Sequence, residues 1–338
     1  MGLQKEYISW IDTAKGIGVF LVVIGHLLYD STLQTVNTAI YSFHMPLFFI
    51  ISGFLIYGAR RDSFLEFLKK NFVRLIIPAY IYSLVFIPLF IYRKSPVEIG
   101  DFIGRLTFSS GFVIYNLPCW FFFVLFGVKL LERVFRIADR PRTIRVAICI
   151  FTFVLERFIY NVPKLHFYSI KRVGIAFVFL QVGILLRDIY ENYYKKLDKK
   201  QIKIVIYIVL TATWFIFGVI LNKKVSMYFN EFGRYWQFVI SGAAGSVVFM
   251  KISQLVDGKI HFFRQTGKNS LLIIGTHYVL TDWFRMIMEA LSLSKTHVYD
   301  IVSLLFAILL IIIYVPISKF VEKKAPILLG KTKTAVTH

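Results

Sequence analysis

Ten apolar stretches, each long enough to cross a lipid bilayer as a helix, constrain this chain more than any other feature. About 20 helical residues cover the roughly 30 Å of a hydrocarbon core, where every backbone N–H and C=O must be hydrogen-bonded internally. Of the 338 residues, 57% are hydrophobic and only 17% are charged, which excludes a disordered chain and argues against a soluble enzyme. The sequence therefore predicts an all-α polytopic membrane protein with about ten transmembrane helices. Their approximate bounds are 11–29, 38–58, 73–92, 111–129, 146–162, 172–187, 202–222, 235–252, 269–289 and 298–318.

The charge balance predicts an orientation rather than a nucleic-acid partner. Lys and Arg number 40 against 19 Asp and Glu, a net charge of +21. With the N-terminus placed in the cytoplasm, 28 of the 40 basic residues fall in the cytoplasmic segments. Because cytoplasmic loops collect Lys and Arg, this bias predicts that both termini are cytoplasmic. The surplus then indicates contact with membrane lipids, and no nucleic acid is expected.

The chain is predicted to form a single integral-membrane domain over 1–338, with no soluble domain. No domain-sized polar stretch, obvious internal repeat or signal-peptide cleavage site interrupts the spans. Cys119 and Cys149 both lie in apolar stretches, so we expect buried thiols and no metal site.

Three ionisable residues fall within the first span, where such groups are costly and mark a candidate functional site. Asp12 and Lys15 are three residues apart and share a helix face near the cytoplasmic end. His26 follows Lys15 by eleven residues, which places it on nearly the same face about 16 Å further along the helix. This face therefore carries a cation at its lower end and an imidazole at its upper end. A snorkelling Lys15, an N-cap Asp12 and a His26 bonded to a neighbouring helix are the structural alternatives.

The second span runs in the opposite direction and brings another histidine to a similar depth. His44 lies about six residues into this span, so His26 and His44 are expected to face one cavity in the outer half of the membrane. Pro46 would open the backbone ladder, and Ser52 with Gly53 would permit close approach of another helix. Ser52 is also a candidate residue of the substrate cavity.

A basic segment precedes the third span, with Phe and Leu between the charges as in an amphipathic helix. Arg61, Lys69, Lys70 and Arg74 belong to it. Such a cluster is usually a signal of cytoplasmic location. Guanidinium and ammonium groups at this place could also hold the phosphates of a nucleotide-bearing cofactor, and Lys15 is a further candidate for that role.

Two residues in later spans complete the candidate cavity. Trp120 follows Pro118 at the start of the fourth span, and His277 lies about 12 Å into the ninth. Glu156 and Arg157 are adjacent at the end of the fifth span, where we expect them to neutralise each other.

Five stretches, in this order and spacing, resemble the membrane acyltransferase 3 family, particularly its fucose 4-O-acetylase-like or polysaccharide O-acetyltransferase branch. They are WIDTAKGIGVFLVVIGH, FHMPLFFIISGF, FLKKNFVRLIIPAY, LPCWFFFVLF and NSLLIIGTHYVL. In that family an Arg and a His separated by ten residues mark the first helix, and the His is regarded as essential. Here Lys15 stands in the place of the Arg, which keeps the charge but removes the planar fork, and His26 matches the His.

The resemblance implies an O-acyltransferase, most simply an O-acetyltransferase, in the bacterial cytoplasmic (inner) membrane. The donor would be cytoplasmic acetyl-CoA, held by the segment containing Lys69, Lys70 and Arg74. The acceptor would be a saccharide hydroxyl on a capsule, a lipopolysaccharide or a lipid-linked repeat unit. His26 would act as a base or as a transient acyl carrier, Asp12 and Lys15 would organise the inner entrance, and His44 would support the outer cavity.

Two other classes of membrane protein share several of these features. A polysaccharide or lipid-linked sugar transporter would have similar spans and intramembrane charges, but repeat symmetry is expected of it. A glycan polymerase would be expected to carry a large polar outer loop, whereas the longest predicted here has about 18 residues. The concentration of unusual residues in the first two spans favours the enzyme over both.

Overall fold

The computed structural model describes residues 7–56, 62–85, 87, 99–113, 116–162, 167–222 and 225–331. These residues are mostly helical and contain no strand; their β-type pairing is limited to an isolated bridge between Ser226 and Glu231. The helices are α1 Ser9–Leu27, α2 Gln34–Tyr41, α3 His44–Phe54, α4 Phe64–Asn71, α5 Ile77–Val85, α6 Ile99–Leu106, α7 Trp120–Phe135, α8 Arg142–Asn161, α9 Ile170–Ile189, α10 Lys200–Phe215, α11 Tyr235–Val256, α12 His261–Lys268, α13 Ser270–Ala290 and α14 His297–Lys324.

Five helical stretches among the described residues are long and apolar enough to cross a membrane. They are Ser9–Asp30, Phe167–Tyr194, Lys200–Ile220, Tyr235–Val256 and His297–Lys324. The predicted all-α class is confirmed for the described residues, and several apolar helices support a multi-pass membrane protein. The count of ten spans and the cytoplasmic position of both termini stay predictions.

The predicted second span is broken into α2 and α3. Pro46 supplies no N–H, and its ring conflicts with the carbonyl of Ser42 one turn earlier, which favours a break of the helix at Ser42 and Phe43. Phe43 accordingly has φ −143° and ψ −18°, outside the helical range. His44 thereby becomes the first residue of α3. The predicted third span begins in a π-helical turn, Phe72–Ile76, and its later part lies outside the described residues.

Helices α3 and α9 cross at two glycines whose backbones are almost in contact. A Cβ atom on Gly53 would lie 1.9 Å from the carbonyl oxygen of Leu180, and one on Gly183 would lie 2.1 Å from that of Ile50. Close approach of a neighbouring helix at Gly53 is therefore confirmed, and Gly183 is its counterpart on the other helix.

Helix α1 is covered by two consecutive helices, each over a different part of its length. A Cβ on Gly16 would lie 1.9 Å from the carbonyl oxygen of Phe263, and one on Gly267 would lie 1.7 Å from that of Asp12. These contacts fix α12 against the first half of α1. Helix α13 follows after Asn269 and packs against α1 beyond that point. Helix α12 therefore covers the first half of α1, and α13, which corresponds to the predicted ninth span, packs against the second half.

The expected neutralisation of Glu156 by Arg157 is wrong. The Glu156 side chain turns away from its exposed neighbour and is buried against α9, where a Cβ on Gly174 would lie 1.7 Å from its Oε2. Neither carboxylate oxygen has a hydrogen-bond partner among the described residues. Adjacent residues on a helix point about 100° apart, so these two side chains cannot share one surface.

A carboxylate beyond the end of α11 holds the beginning of α1. Asp257 accepts hydrogen bonds from Ser9 Oγ and Thr13 Oγ1, each at 2.6 Å, and pairs with Arg264 Nη2 at 2.8 Å. Burial alone would raise the pKa of Asp257, but these hydrogen bonds and the Arg264 charge outweigh it and hold the pKa below its usual range. The contacts join α1, α11 and α12 below the candidate site.

This depressed pKa predicts that stability falls in acid. A carboxyl whose pKa is lower in the folded state stabilises the fold at pH values above its unfolded pKa of about 3.9 and loses this contribution as pH falls through the folded value. We expect the melting temperature in detergent to drop more steeply between about pH 5 and pH 2 in the wild type than in Asp257→Asn. Parallel curves for the two proteins would contradict this assignment.

Candidate active site

The structure brings His26 of α1 and His277 of α13 into contact. Their ring centroids are 5.2 Å apart, and the ring of Tyr278 lies 5.4 Å from that of His26. His277 is fully buried, whereas His26 is partly accessible. No described residue makes a hydrogen bond to the His26 ring, so its nitrogens are available to a ligand.

The two histidines meet because α12 and α13 together run alongside α1. His26 is 17 residues from the start of α1, and His277 is 16 residues from the start of α12. Counted from the beginning of the predicted ninth span, His277 lies about 12 Å along the helix. The eight residues of α12 add the length that brings it beside His26.

The hydrogen bonding of His277 defines which of its ring nitrogens can accept a proton. Nδ1 lies 2.7 Å from the carbonyl oxygen of Ile273, one turn earlier. A carbonyl oxygen only accepts, so Nδ1 carries the hydrogen, and Nε2 of the neutral ring is left with a lone pair. Nε2 is buried and has no hydrogen-bond partner among the described residues. This lone pair can accept a hydrogen bond from a proton-bearing group that lies beside His26.

His44 joins the cluster from the start of α3. Its Nδ1 lies 2.8 Å from the carbonyl oxygen of Ile40, across the break between α2 and α3, so its tautomer is defined in the same manner. Its ring packs edge-on against Tyr41, with centroids 4.8 Å apart. His44 and His277 are both within electrostatic range of His26. Imidazoles from three helices therefore lie near one another.

Sequence reasoning missed Tyr278 and Arg285, which α13 brings to the same place. Arg285 pairs with Asp30, with Nη2 2.7 Å from Oδ2, just beyond the end of α1. Their spacing in the sequence could have indicated this position: Asp30 follows His26 by one helical turn, and Arg285 follows His277 by eight residues.

Asp12 and Lys15 form the ion pair that their spacing predicts. Lys15 Nζ lies 3.1 Å from Asp12 Oδ1, and the hydroxyl of Tyr7 donates to Oδ2 at 2.7 Å. Burial and this hydrogen bond raise the pKa of Tyr7 to about 12, so the phenol stays a donor at neutral pH. Since α1 is continuous from Ser9 to Leu27, Lys15 and His26 are about 16 Å apart along its axis.

The residues of the basic segment do not all lie near this ion pair. Arg74 is exposed and within electrostatic range of Asp12. Lys69 and Lys70 are exposed on α4, where Lys70 pairs with Asp62 at 3.4 Å. Arg61 lies outside the described residues.

Trp120 and Ser52 have neighbours other than the three histidines. Trp120 is buried beside Phe121 and the guanidinium of Arg172, and the hydroxyl of Ser52 donates to the carbonyl oxygen of Phe48 at 2.8 Å. Within the described part of the chain, no group of three or more His, Cys, Asp or Glu side chains could hold a metal ion.

Comparison with known proteins identifies the class of reaction. Residues 8–318 match the sequence profile of a family described as an acyltransferase domain. The chain belongs to the acyltransferase 3 family. Like the rest of that family it is an acyltransferase, and the transporter and polymerase alternatives are set aside. The three histidines therefore lie within an acyltransferase domain.

Two curated proteins share part of the sequence. Each is named nodulation protein NolL, one from Mesorhizobium japonicum (strain LMG 29417 / CECT 9101 / MAFF 303099) and one from Sinorhizobium fredii (strain NBRC 101917 / NGR234). The chain is 45% and 46% identical to them over 76 residues, or 20% of this chain in both cases. The matches span only 20% and 21% of the relatives' own lengths. No solved structure shows a significant match.

Proposed function

We propose that this acyltransferase moves an acetyl group from cytoplasmic acetyl-CoA to a hydroxyl of a cell-surface or lipid-linked saccharide, with His26 at the reacting centre. The contact between His26 and His277 carries the proposal, because two imidazoles 5.2 Å apart can act on the same proton-bearing group. The protein would work in the bacterial inner membrane, on a capsule, a lipopolysaccharide or a lipid-linked repeat unit. The family assignment supports acyl transfer, and the resemblance to the polysaccharide O-acetyltransferase branch supports an acceptor of this class.

General base catalysis by His26 requires no protein group outside the cluster of three histidines. A ring nitrogen of His26 takes the proton of the acceptor hydroxyl while the oxygen attacks the thioester carbonyl. The C–S bond then breaks, and the coenzyme A thiolate receives the proton from His26. A neutral imidazole suits this step because its ordinary pKa lies near working pH. His277 Nε2 offers a second acceptor that orients the hydroxyl or the His26 ring.

A covalent route uses the same residues in another order. A ring nitrogen of His26 would attack the thioester carbonyl, the C–S bond would break, and the thiolate would leave as a thiol with the proton of the other His26 nitrogen. The saccharide hydroxyl would then attack the acetyl group, the N–C bond would break, and the hydroxyl proton would return to His26. In both routes His44 would support the wall of the cavity. No metal is required in either.

The spacing along α1 suits a donor that enters from one end of the bundle. Lys15 and Arg74 would bind its phosphates, with Asp12 and Tyr7 holding Lys15 in place, and the pantetheine arm would cover the roughly 16 Å to His26. Lys69 and Lys70 lie on the exposed face of α4 and would contribute longer-range attraction.

A transfer assay tests the proposal directly. The protein in lipid nanodiscs is incubated with acetyl-labelled acetyl-CoA and a panel of capsule, lipopolysaccharide and lipid-linked oligosaccharides. Label that becomes attached to a saccharide, and is released by mild alkali as acetate, supports O-acetylation. Donor binding without transfer to any saccharide, under conditions that preserve the fold, would contradict the proposed acceptor class.

Charge reversal separates donor-binding cations from those that only reflect topology. We expect Arg74→Glu to raise the dissociation constant of coenzyme A about tenfold, because one charge-assisted phosphate contact is lost. Lys69→Glu with Lys70→Glu should have a smaller effect that disappears at high salt. Arg157→Glu, at an exposed cation on α8, serves as the matched control. Equal affinities for all variants in calorimetric titration would mean that these cations do not bind the donor.

A further inference from the structure

An ion pair and an exposed aromatic ring border the space above His26. Arg285 Nε and Nη2 lie 2.8 Å and 2.7 Å from the same oxygen of Asp30, Oδ2. The Arg285 guanidinium also lies over the ring of Tyr29, 5.1 Å from its centroid. Tyr29 is 61% exposed, and both charged side chains are about one-quarter exposed. This group of three residues, which we call the rim, is accessible from outside the protein.

The rim lies close to the histidines. Asp30 follows His26 by four residues, and Tyr278, which contacts the His26 ring, lies on the same helix as Arg285. Arg285 is within electrostatic range of both His26 and Tyr41. One helical turn, roughly 6 Å, therefore separates the rim from the proposed reacting centre.

The ion pair leaves polar atoms free to bind a ligand. Both guanidinium contacts use Oδ2, so Oδ1 of Asp30 accepts no hydrogen bond from the described residues, and Arg285 Nη1 donates none to them. A free carboxylate oxygen accepts from one hydroxyl, and a free guanidinium nitrogen donates to its neighbour. Adjacent hydroxyls of a sugar ring present this donor and acceptor combination. An exposed tyrosine ring can cover the apolar face of the same sugar.

We propose that Asp30, Arg285 and Tyr29 form the acceptor subsite and hold a neutral sugar ring with one hydroxyl directed at His26. This inference rests on the proposed function and names the class of acceptor more closely. The opposite charges of Asp30 and Arg285 cancel, so the rim favours an uncharged sugar over an acidic one. Tyr29 contributes its ring, and its hydroxyl is not required.

The test measures how the transfer rate depends on acceptor concentration. We expect Asp30→Asn and Arg285→Lys each to raise the KM for a neutral oligosaccharide about tenfold, while the affinity for coenzyme A stays unchanged. Tyr29→Ala should raise this KM as well, whereas Tyr29→Phe should match the wild type. Asp139→Asn, which breaks another ion pair, that of Arg136 and Asp139, is the matched control.

A charge swap distinguishes sugar binding from a purely structural link between α1 and α13. Asp30→Arg combined with Arg285→Asp restores an ion pair but reverses the donor and acceptor positions. We expect this double variant to recover the melting temperature lost in either single variant while its acceptor KM stays high. Recovery of the acceptor KM together with the melting temperature would overturn the proposal.

The outcome also separates this inference from the proposed function. Absence of transfer to any saccharide in the wild type would contradict the proposed function and the subsite with it. Wild-type transfer with an unchanged acceptor KM in Asp30→Asn and Arg285→Lys would overturn the subsite alone.

Discussion

Replacing His26 with alanine is expected to lower acetyl transfer by about 100- to 10,000-fold, the usual contribution of a positioned general base. Affinity for coenzyme A should not change, because Lys15 lies about 16 Å away along α1 and Arg74 lies near Asp12 at that same end. The measurement is the initial rate of label transfer to saccharide, with donor affinity determined on the same preparations. Transfer by His26→Ala at the wild-type rate would falsify the assigned role.

Substitutions of two other histidines should lower the transfer rate less than His26→Ala does. His277→Gln removes the buried imidazole that contacts His26 and should lower the rate about tenfold or more, with a changed pH profile. His297→Ala is the matched control, since that side chain is 91% exposed at the start of α14. A rate loss in His297→Ala similar to that in His26→Ala would indicate general damage to the protein rather than loss of a base.

Rapid quenching of the wild type separates the two chemical routes. If His26 carries the acetyl group, label should appear on the protein before it reaches the saccharide, and His26→Ala should show none. If His26 is a base, no labelled protein should accumulate at any time.

Substitution at the α3–α9 crossing is expected to have a large effect on stability. A methyl group on Gly183 would lie 2.1 Å from the carbonyl oxygen of Ile50, and a backbone oxygen cannot move without separating the helices. We expect Gly183→Ala to cost about 1–3 kcal/mol or more and to lower the melting temperature by several degrees. Gly53→Ala should behave similarly, because its methyl would lie 1.9 Å from the carbonyl oxygen of Leu180.

The double variant and a control make this prediction specific. One separation of the two helices relieves both clashes, so Gly53→Ala and Gly183→Ala together should cost less than the sum of the single effects. Gly127→Ala on α7 is the control, since its Cβ would meet Val173 at an ordinary 3.4 Å and alanine favours the helix. Additive losses, or an equal loss in Gly127→Ala, would contradict the role of the crossing.

Local patterns predicted the parts of the fold that depend on local physics. The length of the apolar stretches and the need for internal backbone hydrogen bonds predicted the helical class. The three-residue spacing predicted that Asp12 and Lys15 share a helix face, where they form an ion pair. Ser52 and Gly53 indicated a close crossing, though not its partner at Gly183. Periodicity did not show that Pro46 divides the second span, because an apolar run continues through the break.

The sequence could place each histidine on a helix but could not place the helices beside one another. Residue type made His277 a candidate for the cavity, but its contact with His26 could not be predicted, since nothing in the local pattern shows that α12 occupies the first half of α1. The sequence likewise predicted that Arg157 neutralises Glu156, whereas in the structure Glu156 packs against Gly174 of α9. Such contacts depend on residues far apart in the chain.

By itself, then, the sequence determined an all-helical membrane protein, a set of polar side chains within its spans and a resemblance to an acyltransferase family. Those properties follow from hydrocarbon length, helix spacing and residue type, which are local. Only the tertiary structure decided that His26 contacts His277, that His44 lies near them and that Asp30 pairs with Arg285 beside them. The physical reason is that glycine contacts set the offset between neighbouring helices, and a shift of one helix along another moves every side chain it carries to a different partner.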